Sequence, residues 1–124
     1  MWRKYILLLV LMFSSAVQAV EFPFTVQRFN TLQQEGKSIL VFIHADWCPT
    51  CKKQELILGE LLPRDEFKPV TVLKVDFDTQ KDVVNGFGVQ YQSTLIAFHG
   101  RDEKGRVTAS TDRNEIAALI QRGL

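Results

Sequence analysis

Both cysteines of this 124-residue chain lie in one C-P-T-C segment, at Cys48 and Cys51. Residues three apart at the start of a helix bring their side chains to about 5–6 Å, which is within the range that a disulfide bond needs. Cys48 is expected at the helix N-terminus, where unpaired N–H groups and the helix dipole favour a thiolate. The spacing therefore predicts a redox-active pair, with Cys48 as the nucleophile and Cys51 as the thiol that resolves the mixed disulfide.

Other roles for two neighbouring cysteines fit the sequence less well. Haem attachment needs a histidine directly after the second cysteine, and Lys52 stands there. A zinc site needs two more ligands, and the predicted strands place the available histidines, His44 and His99, far apart. A purely structural disulfide would close too short a loop to stabilise the protein much. Thiol–disulfide exchange is the preferred interpretation, and no metal or cofactor is expected, while zinc binding and a structural bridge remain as alternatives.

The cysteines follow a continuous apolar run over 38–44 (SILVFIH), which predicts a strand buried on both faces. A helix is expected over 48–62, because proline is tolerated at the first helical position and Pro63 marks the far end. The other predicted elements are a helix over 24–35, a strand over 70–77, a short helix over 81–85, a strand over 94–98, a turn-rich segment over 100–106, a strand over 107–109, and a helix over 112–122. The last helix is expected to be capped by Thr111 or Asp112 and to bury Ile116, Leu119 and Ile120. This order predicts an α/β fold with a central mixed sheet between helices.

The first 19 residues have the pattern of a secretory signal peptide: Arg3 and Lys4, an apolar run over 6–13, and small residues up to Ala19. Cleavage after Ala19 would leave a domain at 20–124, 105 residues long, with 13 basic and 14 acidic side chains. An uncleaved membrane anchor is the alternative, but a span needs about 20 apolar residues and polar residues interrupt this run. In both cases the domain is expected in a compartment where cysteines can be oxidised.

Composition limits the class of protein. An apolar content of 46% with 23% charged residues is typical of a single globular domain. Lysine and arginine number 15 against 14 acidic residues, which leaves no strong field to attract nucleic acid or an anionic membrane. We therefore expect no nucleic-acid partner. A monomer is expected as well.

Residues 45–52 (A-D-W-C-P-T-C-K) resemble the active-site segment of thioredoxins, in which a tryptophan precedes the C-x-x-C at the end of a central strand. The order and spacing of the other predicted elements, with Gly88, are similar over nearly all of 20–124. The resemblance implies a thioredoxin fold and a periplasmic disulfide reductase that acts on exported proteins, with a membrane-bound thiol reductase as its electron donor. Working in the opposite direction, the same pair would be a disulfide oxidase or isomerase.

Two positions near the cysteines depart from the thioredoxin pattern. Phe42 stands six residues before Cys48, where thioredoxins hold a buried carboxylate that accepts the proton of the second thiol. Lys74 matches the lysine that partners this carboxylate, so we expect it to lack its partner and to hold its amine in solvent. His44 replaces a usual aromatic residue and is a candidate for tuning Cys48. Loss of the Cys51 proton is then expected to depend on water, His44 or the incoming substrate.

The third departure is Ser93, which occupies the position of a cis-proline that faces the cysteines in thioredoxin-fold enzymes. A non-proline cis bond costs about 3–4 kcal/mol, so this loop is expected to be either a strained cis form or a relaxed trans one. Absence of the proline also leaves open an alternative function as a metal or iron–sulfur carrier. Asp46, Asp76 and Asp78 are interpreted as strand-end or capping carboxylates. The predicted site comprises the catalytic Cys48 and Cys51, with Trp47, Pro49, Thr50, His44, Tyr91, Gln92, Ser93 and Thr94 in substrate binding or tuning.

Overall fold

A five-stranded mixed sheet organises residues 19–124, the part of the chain that this computed structural model describes. The predicted signal peptide lies, apart from Ala19, outside the described residues. In chain order the elements are β1 (Val20–Pro23), α1 (Val26–Gln34), β2 (Ser38–His44), α2 (Pro49–Leu61), a short 3-10 helix (Asp65–Phe67), β3 (Val70–Asp76), α3 (Lys81–Gly86), β4 (Thr94–His99), β5 (Asp102–Thr108) and α4 (Arg113–Arg122).

Strand β2 lies at the centre of the sheet, whose order is β1-β3-β2-β4-β5. Strands β1, β3 and β2 run parallel, and β4 and β5 complete the sheet by antiparallel pairing. Every residue of β2 is buried, because helices cover both faces of the sheet. Its alternate side chains enter two cores: Leu40 and Phe42 pack with residues of α2 and α4, whereas Val41 and Ile43 pack with residues near α1 and α3. The predicted buried central strand is confirmed.

Strand register decides which residues meet at the end of the sheet that carries the cysteines. His44 pairs with Asp76 where β2 and β3 end, and Thr94 pairs with Ile43 where β4 begins. His99 pairs with Ser38 at the opposite end of β2. The two histidines therefore lie at opposite ends of the sheet, as predicted, and do not form a shared zinc site.

Most predicted elements are confirmed to within two residues at each end. Helix α4 begins after Asp112, whose Oδ1 accepts a hydrogen bond from the Glu115 amide at 3.0 Å, so Asp112 is the cap. The prediction of a turn over 100–106 is wrong for most of that segment, because β5 already begins at Asp102. Strand β1 was not predicted at all. Both strands lie at sheet edges with mostly exposed residues, so neither has the apolar pattern of a buried strand.

None of the helices over 19–124 combines the length and the apolar character that crossing a bilayer requires.

Candidate functional site

Helix α2 places the first cysteine at its N-terminus. Cys48 is the N-cap residue and Pro49 the first helical residue, as the sequence predicts. The Cys48 sulfur accepts a hydrogen bond from the Cys51 amide at 3.1 Å. An N–H group directed at the sulfur stabilises a thiolate there, so the local geometry suits Cys48 for nucleophilic attack.

The two cysteines are both buried, and the second has a raised pKa. Both thiols are free, and Cys51 is completely buried. Burial, followed by the hydrogen bond and charge of Cys48, raises the pKa of the Cys51 thiol to about 11, against smaller opposing effects from the backbones of Ala45 and Ser93. Cys51 is therefore a neutral thiol near pH 7 and must lose a proton before it can attack Cys48.

The loop before β4 approaches the cysteines through Ser93. Residues 19–124 contain no cis peptide bond, so the Gln92–Ser93 bond is trans, the second of the two expected forms. Ser93 has a positive φ of 59°, and its amide donates a hydrogen bond to the Ile43 carbonyl at 2.7 Å. A proline has no N–H group and cannot adopt this φ. The serine thus anchors the loop to the end of β2 by a contact that proline could not make.

Gln54 is a site residue that the sequence analysis missed. Its side chain is fully buried, and Nε2 donates hydrogen bonds to the carbonyls of Ser93 at 2.9 Å and Ser110 at 3.0 Å. The spacing of Gln54 from Cys51 and Leu58 places all three on the buried face of α2, and this helical period was the available signal. Gln54 connects the helix that carries the cysteines to the Ser93 loop.

Lys74 has a partner, so the prediction of a solvent-exposed amine is wrong. Its Nζ donates to Glu55 Oε1 at 2.5 Å. Phe42, buried at the position of the missing carboxylate, lies opposite Lys74 in the β2–β3 ladder. This register places Lys74 beneath α2, from which Glu55 reaches it. The expectation for Lys74 was wrong because only a carboxylate on the strand was considered as its partner, whereas Glu55 lies on the helix.

His44 lies beside the same carboxylate. The imidazole is buried, with Nε2 3.5 Å from Glu55 Oε1 and Nδ1 3.8 Å from Asp46 Oδ1. Its ring packs edge-on against Phe42 with 5.3 Å between ring centroids. Burial raises the pKa of Glu55, but the hydrogen bond and charge of Lys74 and the nearby His44 outweigh it and leave that pKa lowered. The site therefore contains an ionised carboxylate between a lysine and a histidine.

Trp47 lies next to Cys48 with more than half of its side chain exposed. Its indole N–H donates to Asp78 Oδ2 at 2.8 Å, a contact that the sequence did not indicate. Asp76 Oδ1 accepts from the amides of Asp78 and Thr79, which is the capping role predicted for this carboxylate. Asp78 thus orients the indole while the ring remains accessible.

The Thioredoxin family model matches residues 20–122, the whole of the sheet and its helices. The chain belongs to the thioredoxin family. Members of this family, which includes protein disulfide-isomerases, are thiol–disulfide oxidoreductases, and the Cys48/Cys51 pair supplies the same chemistry here. The predicted thioredoxin fold and the predicted class of enzyme are confirmed.

Individual relatives support the assignment to the thioredoxin family. A thioredoxin of Chlamydia muridarum is 33% identical over 84 residues, which are 68% of this chain and 80% of the relative. A thioredoxin of Oryza sativa is 31% identical over 68% of this chain, which spans only 59% of the rice protein. Protein disulfide-isomerase tigA of Aspergillus niger is 34% identical over 86% of this chain, which spans 31% of that protein.

The structure of Trxlp from Edwardsiella tarda superimposes with a TM-score of 0.78 and 36% identity. The match covers 82% of this chain and 98% of that one. The similarity in sequence and structure therefore extends over the whole thioredoxin domain.

The remaining predicted site residues of this thioredoxin-family chain differ in burial and in their position relative to the two cysteines. Tyr91 is exposed and lines a shallow cleft with Thr94 and Arg106 that includes neither cysteine. Thr94 is buried, and its hydroxyl donates to the Tyr91 carbonyl at 2.9 Å. Pro49 is exposed and Thr50 half-buried beside Cys48, and Gln92 is half-buried beside Ser93. Their roles in substrate binding stay predictions.

Metal binding is the alternative that the loss of the cis-proline leaves open. The part of the chain that the structure describes contains no group of three or more His, Cys, Asp or Glu side chains that could hold a metal ion.

Proposed function

We propose that this thioredoxin-family protein is an exported disulfide reductase that acts in the periplasm on proteins with oxidised cysteines. The observation that carries the proposal is the difference between its two thiols. Both thiols are buried, but Cys48 begins a helix and accepts an N–H hydrogen bond, whereas the pKa of the Cys51 thiol is raised to about 11. The first thiol suits attack on a substrate, and the second suits release of the product.

In the proposed reaction, the Cys48 thiolate attacks one sulfur of the substrate disulfide and displaces the other as a thiolate. Cys51 then loses its proton and attacks the Cys48 sulfur, which breaks the mixed disulfide and releases the second substrate sulfur. The substrate gains two electrons and two protons, and Cys48 and Cys51 end as a disulfide. The oxidised protein needs two electrons from a donor, and we propose a membrane-bound thiol reductase for that step.

Exported proteins would contact the monomeric enzyme around Cys48. Trp47 offers an exposed aromatic face there, and Asp78 holds its indole by a 2.8 Å hydrogen bond. The loop over 91–94 also lies beside the pair, because the Ser93 backbone contacts the Cys51 thiol, Ile43 and Gln54. These two features would frame an extended substrate segment that carries the disulfide.

The direction of electron flow follows from the reduction potential of the Cys48/Cys51 pair. We expect a potential near that of thioredoxin, about −270 mV, when the protein is equilibrated with glutathione or dithiothreitol couples. A potential near −120 mV, the value of a strongly oxidising periplasmic thiol oxidant, would contradict the reductase and favour a disulfide oxidase or isomerase. The protein disulfide-isomerase relative from Aspergillus niger, 34% identical, is the observation that favours this second candidate.

Variants of the two cysteines test the assigned roles. Cys51→Ser should accumulate a mixed disulfide with a substrate protein, because the second attack is lost. Cys48→Ser should form none, since the pKa of the remaining thiol is raised to about 11 and little of it is thiolate near pH 7. Mixed disulfides that form on Cys51 in the Cys48→Ser variant would contradict the proposed order of attack.

Export has an independent test. Expression of the full chain in a Gram-negative bacterium, followed by fractionation and intact mass measurement, should give a periplasmic product that begins at Val20. A product of full-length mass in the cytoplasmic fraction would contradict export, and one of full-length mass in the membrane fraction would indicate an uncleaved anchor.

A further inference from the structure

Two residues with a left-handed backbone lie side by side next to the cysteine pair. Ser93, with φ 59°, and Ala109, with φ 60°, are the non-glycine residues of positive φ within 19–124. The Ala109 amide donates a hydrogen bond to the Ser93 carbonyl at 2.9 Å. A non-glycine residue in this conformation is strained and persists only where its surroundings fix it, and such strain concentrates at functional sites. We therefore looked for the group that fixes these two residues.

The Gln54 side chain reaches both strained segments from helix α2. Its Nε2 donates to the carbonyl of Ser93 at 2.9 Å and to that of Ser110, the residue after Ala109, at 3.0 Å. The Ser93 amide donates in turn to the Ile43 carbonyl at 2.7 Å. The backbone of residue 93 is thus bonded at both its N–H and its C=O group, and Gln54 supplies a bond that does not come from the sheet.

Burial by itself does not favour a glutamine at position 54. The residue is fully buried, and its Oε1 has no hydrogen-bond partner among residues 19–124. A buried acceptor without a partner costs free energy that an apolar side chain of similar length would avoid. Leu58 and Leu61, the next buried residues of α2, are apolar. What the glutamine provides is therefore its two N–H groups and the backbone that they hold.

The backbone that Gln54 holds contacts the resolving thiol. Burial, followed by the neighbouring Cys48, raises the pKa of the Cys51 thiol to about 11, whereas backbone contacts from Ala45 and Ser93 lower it. The Ser93 backbone therefore favours the charged form of Cys51. The thiolate is the form that attacks a disulfide, so the position of residue 93 affects the step that Cys51 carries out.

We propose that Gln54 is a positioning residue for the second attack: it holds the Ser93 backbone against Cys51, where that backbone stabilises the thiolate as it forms. The proposal rests on the resolving role of Cys51 in the proposed function but not on the direction of electron flow. In this step the Cys51 S–H bond breaks and its proton passes to water. The Cys51 sulfur bonds to the Cys48 sulfur, and the substrate sulfur leaves with the electron pair of the broken disulfide and takes up a proton from water.

Stopped-flow absorbance with 5,5′-dithiobis(2-nitrobenzoate) separates the two attacks in the reduced protein. Attack by Cys48 releases the first thionitrobenzoate, and attack by Cys51 on the resulting mixed disulfide releases the second. The first phase depends on the reagent concentration, whereas the second is intramolecular and does not. Absence of a second phase in the parent protein would contradict the resolving role of Cys51 in the proposed function, and the proposal would fall with it.

Gln54→Met keeps a side chain of similar length and removes both N–H donors. We expect its second phase to be about tenfold slower, as for the loss of one charge-assisted hydrogen bond in the transition state. The first phase should change by less than threefold, because Gln54 does not contact Cys48. A second phase within twofold of that of the parent would overturn the proposal and leave the proposed function intact.

Leu61→Val is the matched control for lost stability. Leu61 is also fully buried on α2 but has no polar atom, and it lies ten residues after Cys51, about 15 Å along the helix axis. Removing one methylene there weakens the same core at a distance from Ser93. Both phases should stay within threefold of the parent. Equal slowing of the second phase in Leu61→Val and Gln54→Met would assign the effect to packing and overturn the proposal.

The titration of Cys51 is a readout that lost packing elsewhere does not move. Carbon-13 NMR of labelled cysteine Cβ atoms follows this titration in the reduced protein, and the pKa of the parent thiol is about 11. In Gln54→Met the titration should move to higher pH, because the Ser93 backbone is no longer held at the thiolate. In Leu61→Val it should stay in place. An unchanged titration in Gln54→Met would contradict the proposed role.

If Gln54→Met does not fold, Gln54→Asn decides. Asparagine keeps a buried amide but is shorter by one methylene, so its nitrogen cannot reach the Ser93 carbonyl from the same backbone position. The second phase should again be about tenfold slower than in the parent, with the first phase changed by less than threefold. A second phase within twofold of that of the parent would overturn the proposal.

Discussion

Gln54 Nε2 donates a hydrogen bond to the carbonyl oxygen of Ser93 at 2.9 Å. The bond joins the helix that carries both cysteines to the loop that lies opposite them, 39 residues further along the chain. The same Nε2 atom also donates to the Ser110 carbonyl at 3.0 Å. One buried amide therefore connects the beginning of β4 and the end of β5 to the active-site helix.

Replacing Gln54 by leucine should destabilise the protein by about 1–3 kcal/mol, because two carbonyl groups lose a donor in a buried environment. The measurement is urea unfolding of the reduced protein. Gln121→Leu on the exposed side of α4 is the control, and it should change the free energy of unfolding by less than about 0.5 kcal/mol. Equal stabilities for the two variants would show that the amide has no structural role.

Ser93→Pro should lower stability by about 3 kcal/mol or more, although proline is the usual residue at this position in the family. Proline would remove the N–H group that donates to Ile43 and cannot adopt the φ of 59°. Ser93→Gly keeps the donor and permits that φ, so it should remain within about 1 kcal/mol of the parent. Thermal unfolding compares the three proteins, and a proline variant as stable as the parent would contradict the account of this loop.

The raised pKa of Cys51 predicts a loss of stability at alkaline pH. The thiol ionises near 9.0 in the unfolded chain but near 11 in the folded one, so the folded state holds one more proton in this interval. The contribution of Cys51 is fully present below pH 9 and falls by up to about 1.4 kcal/mol per pH unit until pH 11.

Urea unfolding of the reduced protein between pH 8 and pH 11 measures this loss, and Cys51→Ala should show a smaller decline over the interval pH 9–11. Parallel curves for the two proteins would mean that the thiol is not shifted. The oxidised protein provides a second control, because its disulfide has no thiol to titrate.

Trp47→Ala should weaken substrate binding and leave folding nearly unchanged. Trp47 is 58% exposed, so little buried apolar area is lost. With a protein disulfide substrate we expect KM to rise about tenfold and kcat to change by less than threefold, as for a contact worth about 1.4 kcal/mol. An unchanged KM would argue against a substrate contact. Asp78→Ala keeps the ring but removes its hydrogen bond, and should give a smaller rise in KM.

Local sequence patterns were sufficient to predict the central part of the fold. The apolar run over 38–44 is continuous because β2 is covered on both faces, and Pro49 marks the start of α2 because it needs no N–H partner there. The cysteine spacing indicated thiol chemistry because the distance between the two side chains depends only on the geometry of one helical turn. Edge strands β1 and β5 lack such a pattern, because exposed residues need not be apolar.

The sequence by itself thus determined the redox pair, the element that carries it and the absence of a carboxylate at Phe42. Only the tertiary structure decided what surrounds that pair. Lys74 and Glu55 are 19 residues apart, and their contact depends on how β3 packs beneath α2. Gln54 and Ser93 meet across 39 residues. Such contacts depend on strand order and register, and these are set by the packing of the whole core and not by the period of any one segment.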